Sequence, residues 1–240
     1  MRPRQEHNER DVEVTSGGGS AAGAGIYSKP VLALYDVTVL GFSNAVIWTC
    51  PTRLIVEHYN KHVSNRHLDV GVGTGYFLDR CAFPTSDPSL TLMDLNPNSL
   101  AAAARRVRRY QLTTLLADVT VPIRAPTAPF DSIGIGYLLH CLPGPMRHKA
   151  GAIGYLAALL NPDGVLFGTT ILGQGVRHSI LARIALRHYN QRGVFSNLDD
   201  SAQGLHNALA RHFGTVSVHV VGCVAFFSAR RWLGPSATHP

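Results

Sequence analysis

Residues 67–78 read HLDVGVGTGYFL, and this stretch decides the fold. A short apolar run through Leu68 and Val70 gives way to Gly71, Gly73 and Gly75, and then to the helix-compatible Tyr76, Phe77 and Leu78. Glycines let a strand turn sharply and let backbone approach a ligand closely. A helix starting near Tyr76 would direct its first N–H groups at that ligand. The pattern alone means a nucleoside-bearing cofactor at a strand-to-helix turn. A dinucleotide fingerprint, GxGxxG, would put its third glycine at position 76. That position is Tyr76. The glycines read GxGxG, with Asp69 two residues ahead of them.

Outward from this turn the texture alternates. Apolar runs at 67–72, 90–95, 112–117, 131–138 and 164–172 are predicted strands, and 76–81, 97–110 and 146–160 are predicted helices. Strand-helix alternation implies βαβ units and a parallel sheet. The end differs. Two β-rich runs, 215–221 and 223–229, have only Gly222 between them, too little for a crossover helix, so they form an antiparallel hairpin. The expected fold is α/β and Rossmann-like. It has a seven-stranded, mostly parallel sheet that ends in an antiparallel hairpin, with helices on both faces.

The remainder is organised around this core, residues 65–240. Residues 1–25 include GGGSAAGAG and almost no large apolar side chains, the composition of a disordered leader. Residues 26–64 are apolar and aromatic, and Pro51 followed by Leu54, Ile55, His58 and Tyr59 keeps helical spacing. They are expected to form an N-terminal helical cap. Four cysteines, Cys50, Cys81, Cys141 and Cys223, form no CxxC pair, so neither a disulfide framework nor a metal site is expected. No run reaches the roughly 20 apolar residues of a membrane span, and the charged N-terminus is no secretory signal. The expectation is a cytoplasmic protein with no membrane partner; a homodimer is left open. The formal charge of +7 raises the prospect of an anionic partner. However, the densest cluster, Arg105, Arg106, Arg108 and Arg109, lacks interleaved aromatics to stack bases. It reads as a solvated helix end.

With these residues in view, Asp69 to Gly75 resembles motif I of the class I S-adenosylmethionine (SAM)-dependent methyltransferases, and the likeness extends over residues 66–229. The resemblance implies SAM as cofactor. It lays Gly71, Val72, Gly73 and Gly75 along the methionine part, with Asp69 ordering the loop and contacting the amino group through water. It gives Asp94, at the end of the second strand, the ribose hydroxyls; a carboxylate accepts both in charge-assisted bonds. Leu95 and Asn96 flank the adenosine. Asp118 takes the adenine amino group, with Val119 packed on the ring. Asp94 follows Asp69 by 25 positions and Asp118 follows Asp94 by 24, one βα unit each. The segment from Phe130 to Pro143 is similar to the fourth-strand region of many small-molecule methyltransferases, whose end faces the methyl group. There Tyr137 would line the cofactor or acceptor pocket, and His140 is the candidate general base, its ordinary pKa suiting proton abstraction. Tyr35, Trp48 and Arg177 join Tyr137 and His140 as candidate acceptor contacts.

The nucleic-acid amino methyltransferases carry an Asn/Asp-Pro-Pro-Tyr/Phe tetrapeptide in this region. The chain does not, so nucleic acid is not the expected acceptor. The expected activity is methyl transfer to a small molecule, in secondary metabolism. An RNA or protein methyltransferase, a non-catalytic SAM-fold binding protein and a nicotinamide dehydrogenase stand as alternatives.

Overall fold

A computed structural model describes residues 44–124 and 129–234 of the 240-residue chain. The leader, most of the cap and Tyr35 lie outside the described residues. From the cap region the structure shows a π-helical turn at 44–47 and helix α1, Thr52–His62. The core then runs β1 (Arg66–Val70), α2 (Tyr76–Arg80), β2 (Ser89–Asp94), α3 (Pro97–Arg106), β3 (Gln111–Leu116) and β4 (Phe130–Gly136). It continues with α4 (Met146–Ala157), β5 (Leu160–Ile171), α5 (Ile180–Gln191), α6 (Ala202–Ala210), β6 (Phe213–Val221) and β7 (Val224–Trp232).

One seven-stranded sheet has the order β3-β2-β1-β4-β5-β7-β6. β1 to β5 pair in parallel, and β7 runs antiparallel to both β5 and β6. This is the expected architecture. Alternation along each strand sorts side chains to two faces. Leu68, Val70, Ile133 and Ile135 pack with Ile153 and Leu156 of α4 and Leu205 and Leu209 of α6. Leu90, Leu92, Phe167 and Phe226 point the other way, against Ile55 and Tyr59 of α1, Leu100 of α3 and Leu186 of α5. Phe167 and Phe226 are fully buried, each contributing about 1.5–3 kcal/mol.

Three details differ from the sequence reading. The hairpin loop has two residues, Gly222 and Cys223, because Val221 pairs with Val224. Gly222 adopts φ +58°, and a Cβ there would stand 2.4 Å from the carbonyl oxygens of Trp48 and Thr49. Strand β5 starts at Leu160 rather than 164. Its register to β4 breaks between Phe130 and Ser132, where Asn161-Pro-Asp-Gly bulges out. Strand β4 ends at Gly136, because Tyr137 takes φ +57° and turns the chain.

Candidate functional site

The strand order reverses at β1, whose neighbours are β2 and β4. Ligand crevices in open α/β sheets form there, outside the carboxyl ends of the strands. A cleft open to solvent lies at this place.

Its floor is the glycine loop. Gly71, Gly73 and Gly75 have φ of +68°, +53° and +73°, which other residues rarely adopt. The loop is tied to β2 by the Gly71 amide donating to the Met93 carbonyl at 2.8 Å. Each glycine has its own task. A Cβ at Gly71 would come within 2.8 Å of Leu138, and one at Gly75 within 3.0 Å of the Ala103 backbone in α3. A Cβ at Gly73 would meet nothing within 4 Å, so that stretch of backbone is open to a ligand. Gly71, Val72 and Gly73 line the cleft, whereas Gly75 serves helix packing instead.

The acids follow in order along one wall. Asp94 Oδ2 accepts the Gly73 amide at 3.2 Å and Oδ1 accepts the Asn96 amide at 2.9 Å. Burial raises its pKa, and the Asn96, Gly73 and Leu95 amides pull against that. Asn96 in turn caps α3, accepting from the Asn98 amide at 2.8 Å, with Pro97 at the first helical position. Asp118 accepts both the amide and the hydroxyl of Thr120, at 2.8 and 2.7 Å. Asp69, Asp94, Leu95, Asn96, Asp118, Val119 and Tyr137 all line the cleft. An open glycine backbone with two strand-end carboxylates beyond it fits a nucleoside carrying an amino-acid tail.

Of the rest of the lining, Leu138, Cys141, Leu142 and Pro143 belong to the end of the Phe130–Pro143 segment, whereas Tyr59 and Val194 lie outside the sequence motifs. Val194 comes from the loop after α5, far from the motif in sequence, while Tyr59 on α1 stands ten residues before Asp69, and its place on a buried helical stripe is the one local signal. Three candidate acceptor contacts stand away from the lining. Trp48 is buried, its ring centroid 6.1 Å from that of Phe195. Arg177 is exposed, and its carbonyl accepts from the Cys223 thiol. His140 is buried between Tyr137 and Phe195, 4.5 Å from the Phe195 ring centroid. Its Nδ1 accepts the Ile171 amide at 3.3 Å. Burial, reinforced by Lys149, pushes its pKa down to about 3, so the ring is neutral near pH 7. Among the described residues no His/Cys/Asp/Glu cluster fit for a metal occurs.

These rings predict acid sensitivity. His58 is pushed down to about 4, by burial first and then by His62. For His58 and His140 the folded value lies below the unfolded one of about 6.5. The unfolded chain therefore binds more protons in the window between, and stability present at neutral pH is lost as pH falls through 6.5. Between pH 7.5 and 5.5 each ring should cost about 1.4 kcal/mol. Calorimetric melting against pH checks this. The dependence should be shallower in His58→Gln, and an identical slope would contradict the assignment.

Comparison with known proteins agrees with this geometry. A family model described as a methyltransferase domain matches residues 68–166. The demethylluteothin O-methyltransferase of Streptomyces thioluteus is 39% identical over 203 residues, 85% of this chain and 88% of that protein. The physcion biosynthesis cluster O-methyltransferase of Aspergillus chevalieri is 37% identical over 212 residues, 87% and 95% of the two chains. Among solved structures, DhpI in complex with S-adenosylhomocysteine (SAH) superposes with a TM-score of 0.66 at 16% identity, over 91% of this chain and all of that one. That last likeness concerns the fold.

Proposed function

This chain belongs to the class I SAM-dependent methyltransferases, and we propose that it methylates a hydroxyl oxygen of an apolar small molecule in secondary metabolism. When bound, SAM supplies a methyl group activated on a sulfonium. The protein's work is to hold the acceptor in line and to exclude water. In this reading Asp94 holds the ribose, Asp118 the adenine amino group and the glycine loop the methionine part, with Leu95, Asn96 and Val119 around the adenosine.

The acceptor wall carries the proposal. Beyond Tyr137 it consists of Leu138, Cys141, Leu142, Pro143 and Val194, none of them charged. Such a wall takes an apolar molecule and disfavours a phosphate backbone. Among the described lining residues there is no histidine or lysine, and burial pushes the Cys141 thiol up to about 12. An acceptor that brings its own acidic hydroxyl, a phenol or an enol, needs no strong base here. The names of the two relatives, both O-methyltransferases, support oxygen as the acceptor atom. Tyr137 is read as the contact between cofactor and acceptor ends, and His140 as the ring behind it. Tyr35 is a candidate acceptor contact outside the described residues, and Trp48 backs the wall through Phe195. A cytoplasmic setting is part of the reading. Among the described residues no helix is long and apolar enough to cross a membrane.

A mass-spectrometric screen with isotopically labelled SAM tests the proposal. The panel contains phenols, enols, aliphatic alcohols, amines, RNA and a mixed protein fraction. Label is expected in apolar phenols or enols. Label found only in amines, RNA or protein would overturn the acceptor assignment.

A further inference from the structure

Strand β4 contains two glycines, Gly134 and Gly136, whose backbone does not require glycine: neither has a positive φ. Glycine inside a strand weakens it and marks a place where something comes close. Here the close objects are Asp69, His67 and Tyr59. A Cβ at 134 would stand 2.7 Å from Asp69 Oδ1 and 3.2 Å from the His67 ring. A Cβ at 136 would stand 2.5 Å from the Tyr59 hydroxyl oxygen. The two missing side chains make room for a buried polar cluster on the α1 face of the sheet.

That cluster converges on one atom. The Tyr59 hydroxyl donates to Asp69 Oδ1 at 3.0 Å. His67 Nε2 lies 3.6 Å from the same Oδ1, and its Nδ1 is 2.8 Å from Ser132 Oγ. Ser132 Oγ accepts the Ser64 amide at 3.0 Å. Tyr59 is stacked on Phe77 and set edge-on to Phe167, so its ring is locked. Tyr59, His67 and Asp69 are all buried, and only Tyr59 and Asp69 reach the cleft lining. Tyr59 thus fixes Oδ1 by a hydrogen bond, the buried His67 Nε2 stands beside it with no hydrogen-bond partner among the described residues, and Asp69 lines the cleft. A carboxylate held this way is preorganised for positive charge.

We propose that Tyr59 and His67 are positioning residues that aim Asp69 at the cationic methionine end of the cofactor, making α1 part of cofactor selection. The inference rests on SAM use and on Asp69 facing the methionine part. SAH carries the amino-acid tail and 5′-methylthioadenosine lacks it, so their affinity ratio isolates that end. Calorimetry should show Tyr59→Phe weakening SAH about tenfold and leaving methylthioadenosine unchanged. His67→Asn should move the ratio in the same direction, and it serves if Tyr59→Phe does not fold. A merely structural role would weaken both ligands alike, and that outcome overturns the proposal. Asp69→Asn is the reference. If it lowers the ratio while Tyr59→Phe and His67→Asn do not, the positioning role fails and the placement of Asp69 stands. If Asp69→Asn also leaves the ratio unchanged, the placement of Asp69 fails with it.

Discussion

Lys149→Met is expected to destabilise the fold by about 3–5 kcal/mol, the cost of breaking a buried ion pair from one side. Lys149 lies on α4 at 2% exposure, and its Nζ is 2.5 Å from Asp200 Oδ2 and 2.7 Å from the Ser196 carbonyl. Asp200 is 1% exposed, and its Oδ1 has no hydrogen-bond partner among the described residues. Burial pushes the lysine pKa down and the aspartate pKa up, while the attraction between them opposes both shifts. Taking away the ammonium leaves a dry, unpaired carboxylate. Urea unfolding of the variant measures the loss. Lys149→Met combined with Asp200→Leu should recover most of it, because a well-packed apolar pair costs little where a lone charge costs much. A single-variant loss below about 1 kcal/mol would mean the pair is solvated, as surface pairs are.

This pair sits where stability and function meet. Ser196 donates its amide to the His140 carbonyl and accepts the Gly144 amide at its hydroxyl. The Asp200 carbonyl accepts the amides of Gly173 and Gln174, and Asn197 Nδ2 donates to the Ile171 carbonyl. The segment 194–200 is thereby fastened to the ends of β4 and β5, and it presents Val194 to the cleft. Loosening it in Lys149→Met should raise the acceptor KM more than the SAM KM, since no cofactor-wall residue belongs to the segment.

The part of the cleft formed by the glycine loop and the strand-end acids is legible in the sequence because it is local. The turn from Asp69 to Gly75, the Asn96-Pro97 helix start and the strand-end acids each declare themselves within a few residues. The spacing of Asp69, Asp94 and Asp118 reflects one βα unit after another. The remainder of the cleft is assembled from separate segments, and no local pattern ties Tyr59 or Val194 to the glycine loop. Helix α6 lies outside the predicted elements, although Ser201 caps it, accepting from the Gly204 amide, and Leu205, Ala208 and Leu209 keep helical spacing. Gly134 and Gly136 carry no local signal in the sequence beyond lying inside a strand. Their meaning depends on α1 lying across them, a tertiary fact. His140 is marked in the sequence by its residue type and its place after β4. Its pKa is depressed by burial in the surrounding core and then by Lys149, an environment that residue type alone does not reveal.

Asp94→Ala should weaken SAH binding by about 3 kcal/mol, roughly a hundredfold, the upper end for hydrogen bonds to a charged group. Two contributions add. One is the pair of ribose hydroxyls that the carboxylate would accept. The other is visible in the fold itself: Asp94 closes the glycine loop by accepting the Gly73 amide and stiffens the start of α3 through the Asn96 amide. Alanine leaves both amides to water and lets the loop spread before the cofactor arrives. Asp94→Asn separates the contributions, because its one remaining carbonyl oxygen can keep an amide while the charge is lost. Its affinity should fall between wild type and alanine. The 2′,3′-dideoxy form of the ligand completes a double-mutant cycle. If Asp94 holds the ribose, the variant and the dideoxy ligand lose overlapping energy, and their effects are strongly non-additive. Simple additivity would confine Asp94 to the loop, and unchanged SAH affinity in Asp94→Ala would remove it from the cofactor site altogether. The same carboxylate predicts a pH effect. Its pKa is raised by burial, and ribose hydroxyls bond its ionised form more strongly. SAH binding should therefore weaken as the pH falls toward that raised value, and Asp94→Asn should lose this dependence.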